Sequence, residues 1–201
     1  YGDVIEQKAK GLGVDPNALA AVMFVESSGS GFYSNGDMKI RFEVHIFLGY
    51  NIAGSSKYFR VNNGVHQFRE TETGEWKNLH VSSTKGDTQY AALAVATKLN
   101  KDAAYKSISM GLGQQMGFNH KACGYSSAEE MFKDYSKGED RQIDSMFNFI
   151  KNYNSNMLTA LKKKNYENFV RYYNGASIGS KDNKNYSSKM GNYEDQYKAI
   201  K

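Results

Sequence analysis

The chain has 201 residues, a net charge of +5 and a single cysteine, Cys123. That length holds one domain with a real core and leaves little for a second, since domains run to roughly 100–200 residues. One cysteine excludes an internal disulfide and any multi-cysteine metal site, and no apolar run reaches the ~18 residues that would suggest a membrane span.

A positive balance suits an acidic polymer, whether nucleic acid, an anionic membrane surface or bacterial cell wall. The basic residues are mostly dispersed, and the one dense run is Lys162-Lys163-Lys164. With no RNP-type motif and no zinc-finger spacing, nucleic acid is not an expected partner. The opening "YGDVIEQKAK" has neither the basic n-region nor the apolar h-region of a Sec signal peptide. Residues 1–201 are expected to form one domain.

The first clear element is "DPNALAAVMFVE" (15–26): Asp15 as N-cap, Pro16 at the first helical position, then a helix. Leu19, Val22 and Met23 share one face, and Glu26 continues that series. The helix should stop near Ser27–Gly29. Residues 38–47, "MKIRFEVHIF", alternate strictly between apolar and polar, which predicts a strand at least at the start, with a helix from about Glu43 as the competing reading. Residues 49–88 read as an irregular polar lobe with one short hairpin. Helices follow over "TQYAALAVATKLN" and "KDAAYKSI". Residues 109–125 are expected to be a Gly-rich loop with a short helical piece. Capping-box spacing at Ser126/Glu129 and Ser136/Glu139 opens two more helices, the second with Ile143, Met146, Phe147 and Ile150 on one face. "SNMLTALKKK" and "NYENFVRYY" are further helices, ended by Asn174-Gly175. A short last helix is expected around 193–200.

A carboxylate at the end of an apolar stripe is partly desolvated, which raises its pKa and suits a general acid. Glu26 fits that description, and so does a helix-end Glu that swings into solvent. Glu43 follows 17 residues later, close enough after a turn for both carboxyls to reach one cleft. Two carboxyls flanking the bond are the usual equipment for glycoside hydrolysis. The alternative for Glu43 is a strand-face residue paired with Arg41. In "GLGQQMGFN" (111–119), Gln114, Gln115 and Asn119 are suited to sugar contacts beside glycines that let a ligand approach the backbone. Tyr172, Tyr173 and Asn174 offer stacking and hydrogen bonding, or core filling. The four histidines, His45, His66, His80 and His120, contain no i, i+4 pair and no HExxH, so no metal site or cofactor is expected. Cys123 reads as a small buried filler.

Four ordered segments, "VESSGSGF" (25–32), "RFEVHIF" (41–47), "SMGLGQQMGFN" (109–119) and "RYYNG" (171–175), resemble the N-acetylmuramidase family of phage endolysins and bacterial cell-wall effectors. The resemblance covers nearly the whole chain, and four motifs in order are far more specific than one. It implies a mainly α, lysozyme-like α+β fold with a small β or irregular lobe after the second helix. It also implies cleavage of the β-1,4 bond between N-acetylmuramic acid and N-acetylglucosamine. The family's essential Glu falls on Glu26 and its second acidic residue on Glu43, and Gln114, Tyr173 and Asn174 would line the cleft; Gln115, Asn119 and His45 are further candidates for substrate contact. The implied partner is the peptidoglycan glycan strand, met by a monomer at the cell wall without membrane insertion. A holin-released endolysin, a secreted effector and a domain of a larger exported protein all fit. Lytic transglycosylases and a non-catalytic wall-binding module are the rival classes. Two positions depart from the family pattern: Met110 where Trp is usual, and Gln115 where Ile is usual.

Overall fold

The computed structural model describes residues 2–27, 30–81, 86–173 and 180–199; within these, the side chains of residues 26, 27, 180–184, 186 and 197 lie outside the description. Helix α1 (Gly2–Leu12) leads into α2 (Pro16–Ser27). The predicted start of α2 is in place: Asp15 accepts from the Asn17 amide at 2.8 Å, and its carbonyl takes the first turn's bond from Leu19. The single apolar face predicted for α2 is too narrow a description. Ala18 to Met23 are all buried, so α2 is enclosed on nearly every side. The cover comes from α1 on one side and α10 (Ser180–Ala199) on another. Phe24, the exception, is exposed but stacks on Tyr193 of α10 at 5.7 Å.

Strand β1 (Ile40–Phe42) is shorter than the alternation suggested, because the chain turns into α3 (Val44–Gly49) immediately after Glu43. The competing helical reading therefore holds from that point. The apolar period changes with it: Met38, Ile40, Phe42 and Val44 are buried in the two-residue rhythm, and then Phe47, three residues on, replaces Ile46 as the core contact. The lobe after α3 has more β-structure than one hairpin. Strands β2 (Phe59–Asn62), β3 (Val65–Phe68) and β4 (Lys77–Asn78) form an antiparallel sheet in that order. Trp76 is clasped there between the guanidinium groups of Arg60 and Arg69, at 4.1 and 4.6 Å from its ring.

Helices α4 (Asp87–Leu99) and α5 (Lys101–Lys106) fall where propensity places them. The Gly-rich segment that follows is a strand pair rather than a loop. Strand β5 (Ile108–Met110) lies at the centre of a second sheet between β1 and β6 (Gln115–Met116), with Ile40 opposite Met110 and Phe42 opposite Ile108. A 3-10 turn, Gly117–Asn119, follows. Both departures from the family pattern are interior: Met110 is fully buried and Gln115 is 4% exposed.

Helices α6 (Ala128–Tyr135), α7 (Glu139–Asn152), α8 (Ser155–Lys162) and α9 (Tyr166–Tyr173) complete the helical layer. The first capping box is displaced by one residue: Ser127 accepts from Glu130, and the Glu130 carboxylate returns to the Ser126 amide. At α7 the N-cap is Gly138, and the Glu139 carboxylate accepts from the Gly31 amide at 2.7 Å instead. The last helix is much longer than expected, because α10 gains its stability from packing on α2 and α9 rather than from its polar sequence. Lys164 fastens that closure, bridging Asp15 at 2.5 Å and Glu194 at 2.6 Å.

Candidate active site

Glu43 occupies the junction between β1 and α3. Its amide donates to the Ser107 carbonyl, and its own carbonyl accepts from Ile46 and Phe47 in the first turn of α3. The backbone is thus fixed on both sides and the side chain is 14% exposed. One carboxylate oxygen accepts from Arg41 Nε at 2.8 Å. The other faces two histidines, with His66 Nδ1 at 3.4 Å and His45 Nδ1 at 3.6 Å. His66 arrives on β3, because the β2–β4 sheet packs against α3.

A third histidine backs this group. The His80 ring lies 4.5 Å from that of His66. Its Nε2 is 2.9 Å from the Phe42 carbonyl, which can only accept, so Nε2 carries the proton. Its Nδ1 is 3.0 Å from Arg41, which can only donate, so Nδ1 is the acceptor. His80 is therefore a neutral ring with both nitrogens engaged. Burial lowers its pKa below the ordinary 6.5, only partly offset by the bond to Phe42. Burial also lowers that of His66, with help from His80, against the opposing pull of Glu43. His66 Nδ1 is buried and has no hydrogen-bond partner among the described residues.

Strand β5 links Glu43 to the second predicted segment. Ser107, at one end, holds the Glu43 amide; the turn Gly111–Gln114 leaves the other end, roughly 13 Å along an extended chain. This turn is tied from several directions. Gln114 sits in the left-handed region at φ 43°, uncommon outside glycine. Its side chain donates to the Gly111 carbonyl at 2.8 Å and accepts from Ser109 at 2.9 Å. The Leu112 amide donates to the buried Gln142 of α7 at 2.6 Å, and Gln142 donates onward to the Tyr135 carbonyl at 2.9 Å. The same amide explains glycines in two separate motifs. A Cβ on Gly31 would lie 2.0 Å from Gln142 Oε1, and one on Gly111, itself at φ 71°, would lie 2.8 Å from it.

Tyr173 closes on this turn from the end of α9. Its hydroxyl accepts from Gln115 Nε2 and donates to the Gly113 carbonyl at 3.3 Å. Its ring stacks on Phe169 and meets Phe149 edge-on. Gln114, Gln115 and Tyr173 are therefore brought together, and so, at the other end of β5, are Glu43 and His45. Asn119 sits beyond them in the 3-10 turn, half-buried, its carbonyl accepting from Cys123. The Glu26 side chain and all of Asn174 lie outside the described residues. The backbone carrying Glu26 ends α2 four residues before Gly31. There the Gly31 carbonyl accepts from Lys39 and the Lys39 carbonyl from Gly111, so this segment runs beside the β5–β6 turn.

The sequence did not mark His66, His80 or Gln142 as site residues, and it offered Glu139 only as the capping-box partner of Ser136. They come from β3, the segment before α4 and the first turn of α7, so no single spacing announces them. The positive φ of His80, 62°, and the buried amide of Gln142 are properties of the fold. Cys123 is buried and its thiol is pushed up to about 11 by burial, which makes it a poor nucleophile. His120 is also buried, donating from Nδ1 to the Gly117 carbonyl at 3.1 Å.

No curated protein sequence matches the chain. Among solved structures, it is similar to the Burkholderia AP3 phage endolysin, with 27% identity and a TM-score of 0.75, covering 98% of this chain and 71% of that one. The family model for N-acetylmuramidase matches residues 15–198. That span includes all four segments and both ends of the β5 scaffold, and the chain belongs to the N-acetylmuramidase family, a glycoside hydrolase acting on peptidoglycan.

Proposed function

We propose that this muramidase cleaves the β-1,4 bond between N-acetylmuramic acid and N-acetylglucosamine, with Glu26 as general acid and Glu43 as the second carboxylate. The observation that carries the reading is the seat of Glu43. It is an ion-paired carboxylate with its backbone fixed on both sides, and its amide is bonded to Ser107 at the start of the strand that supports the tied "GLGQ" turn. Fixed geometry is what a charge-stabilising group needs, since it then requires no reorganisation as charge develops.

In this mechanism Glu26 protonates the glycosidic oxygen and positive charge develops at C1 of the muramic acid. Glu43 meets that charge, and water completes the hydrolysis. Gln114, Asn119, Tyr173, Asn174 and His45 contact the sugars, and Gln115 contributes through the Tyr173 hydroxyl it holds. The substrate is reached at the cell wall. No helix among the described residues is long and apolar enough to cross a membrane.

Glu43→Gln separates this reading from a lytic transglycosylase, which needs the acid but no attacking water. Hydrolysis predicts at least a tenfold loss of turnover on purified peptidoglycan, with far-UV circular dichroism unchanged. Near-wild-type turnover in that variant, with 1,6-anhydro-muramic products, would assign transglycosylase chemistry instead.

A further inference from the structure

We propose that Glu43, His45 and His66 form a binding site for a divalent transition metal ion of the zinc class. One ligand atom from each residue, the Glu43 Oε2 and a nitrogen from each histidine, lies within 4.8 Å of the others. The two distances to Oε2, 3.4 and 3.6 Å, are close to the edge of a tetrahedron with metal bonds of 2.0–2.1 Å, about 3.3 Å. Two imidazoles and one carboxylate favour zinc or its neighbours over calcium or magnesium, which prefer all-oxygen sets. A single water would complete four-coordination.

Three features distinguish this group from a chance cluster. His66 Nδ1 is buried yet has no hydrogen-bond partner among the described residues, and an orphaned buried nitrogen is costly unless something binds it. His66 is also seated within the group, its side chain 13% exposed and its ring 5.1 Å from that of His45. Around it the orientation is set: the His80 ring packs against His66, and Arg41 takes the other Glu43 oxygen, leaving Oε2 turned to the histidines. His45 is 56% exposed, which gives an ion a way in and leaves its ring free to close the last edge. The Arg41 charge opposes a cation and points to micromolar rather than nanomolar affinity. His80 has no vacant nitrogen to contribute.

Metal binding would occupy the carboxylate oxygen that the proposed mechanism assigns to the sugar, so zinc should act as a reversible inhibitor; this consequence, unlike the site itself, rests on the catalytic reading of Glu43. The test is titration of the chelator-treated full chain with zinc sulfate by calorimetry, with cobalt absorption as a second probe. One equivalent should bind, and His45→Ala and His66→Ala should each weaken affinity at least tenfold. Cobalt should give the intense visible bands of a four-coordinate site. His45→Ala replaces an exposed side chain and tests the site even if His66→Ala fails to fold. Binding no tighter than millimolar, or equal affinity in His45→Ala, would overturn the proposal. Peptidoglycan turnover with and without zinc then addresses Glu43 separately. Inhibition reversed by chelator, and lost in the residual activity of His45→Ala, supports both. Stoichiometric binding without inhibition keeps the metal site and removes Glu43 from the chemistry.

Discussion

Glu26→Gln should lower peptidoglycan turnover by about 10²–10⁴-fold, the range over which a positioned general acid contributes, while the protein remains folded. The substitution keeps the shape of the side chain and removes only the transferable proton. The helix that carries it is unusually well held. Residues 18–23 are buried among α1, α10 and the rest of the core. Asp15 caps its start, and Gly31, four residues beyond its end, is held by Glu139 and Lys39. A rigid helix with one acid in its last turn is a suitable mount for proton delivery, because loosening by about 1 Å can cost 10²-fold. Turnover unchanged in Glu26→Gln, measured on purified sacculi with matched circular dichroism, would remove Glu26 from its role.

Gln142→Ala should cause a large loss of stability. Gln142 is 1% exposed. Truncation leaves the Leu112 amide and the Tyr135 carbonyl without their partner, at about 1–3 kcal/mol for each orphaned group. It also opens a cavity beside Gly31 and Gly111, the two glycines whose missing side chains made room for it. The two orphaned groups alone give about 2–6 kcal/mol, which corresponds to a fall of roughly 5–15 °C in Tm for a chain of this size. Activity should fall as well, since the Gly111–Gln114 turn loses its anchor at Leu112. A Tm within about 2 °C of wild type would show that the two backbone groups find other partners, contrary to this account.

How much of this was legible in the sequence depends on whether the signal was local. The α2 start was, because Asp-Pro is a cap and a helix start in adjacent residues. So was the core face of α7, where Ile143, Met146, Phe147 and Ile150 are all buried. The break at Glu43 was not. Alternation continues through Ile46, and only the packing of Phe47 against Phe42 and Phe59 makes the helix the better solution. The strands β5 and β6 were hidden by the glycines around them, which read as a loop, although Gly111, at φ 71°, is what the turn between them requires. Helix α10 has a polar sequence and owes its length to tertiary contact.

The candidate site followed the same division. Glu26, Glu43, Gln114 and Tyr173 were found because four motifs occur in order, a pattern that survives without any structure. His66 and His80 were considered only as possible members of a spaced metal motif, and they meet Glu43 because two sheets and α3 converge. Met110 and Gln115 are the departures from the family pattern, and the sequence offered Gln115 as a sugar contact. Their burial makes them packing positions first: Met110 lies against Ile40 across the sheet, and Gln115 reaches the Tyr173 hydroxyl.

The most direct test of the central claim is digestion of purified peptidoglycan by the wild-type chain in ¹⁸O-labelled water, with the fragments read by mass spectrometry. Hydrolysis of the muramic acid linkage predicts fragments ending in reducing N-acetylmuramic acid, each carrying one ¹⁸O at C1. Unlabelled 1,6-anhydro ends, or label on N-acetylglucosamine ends, would contradict it.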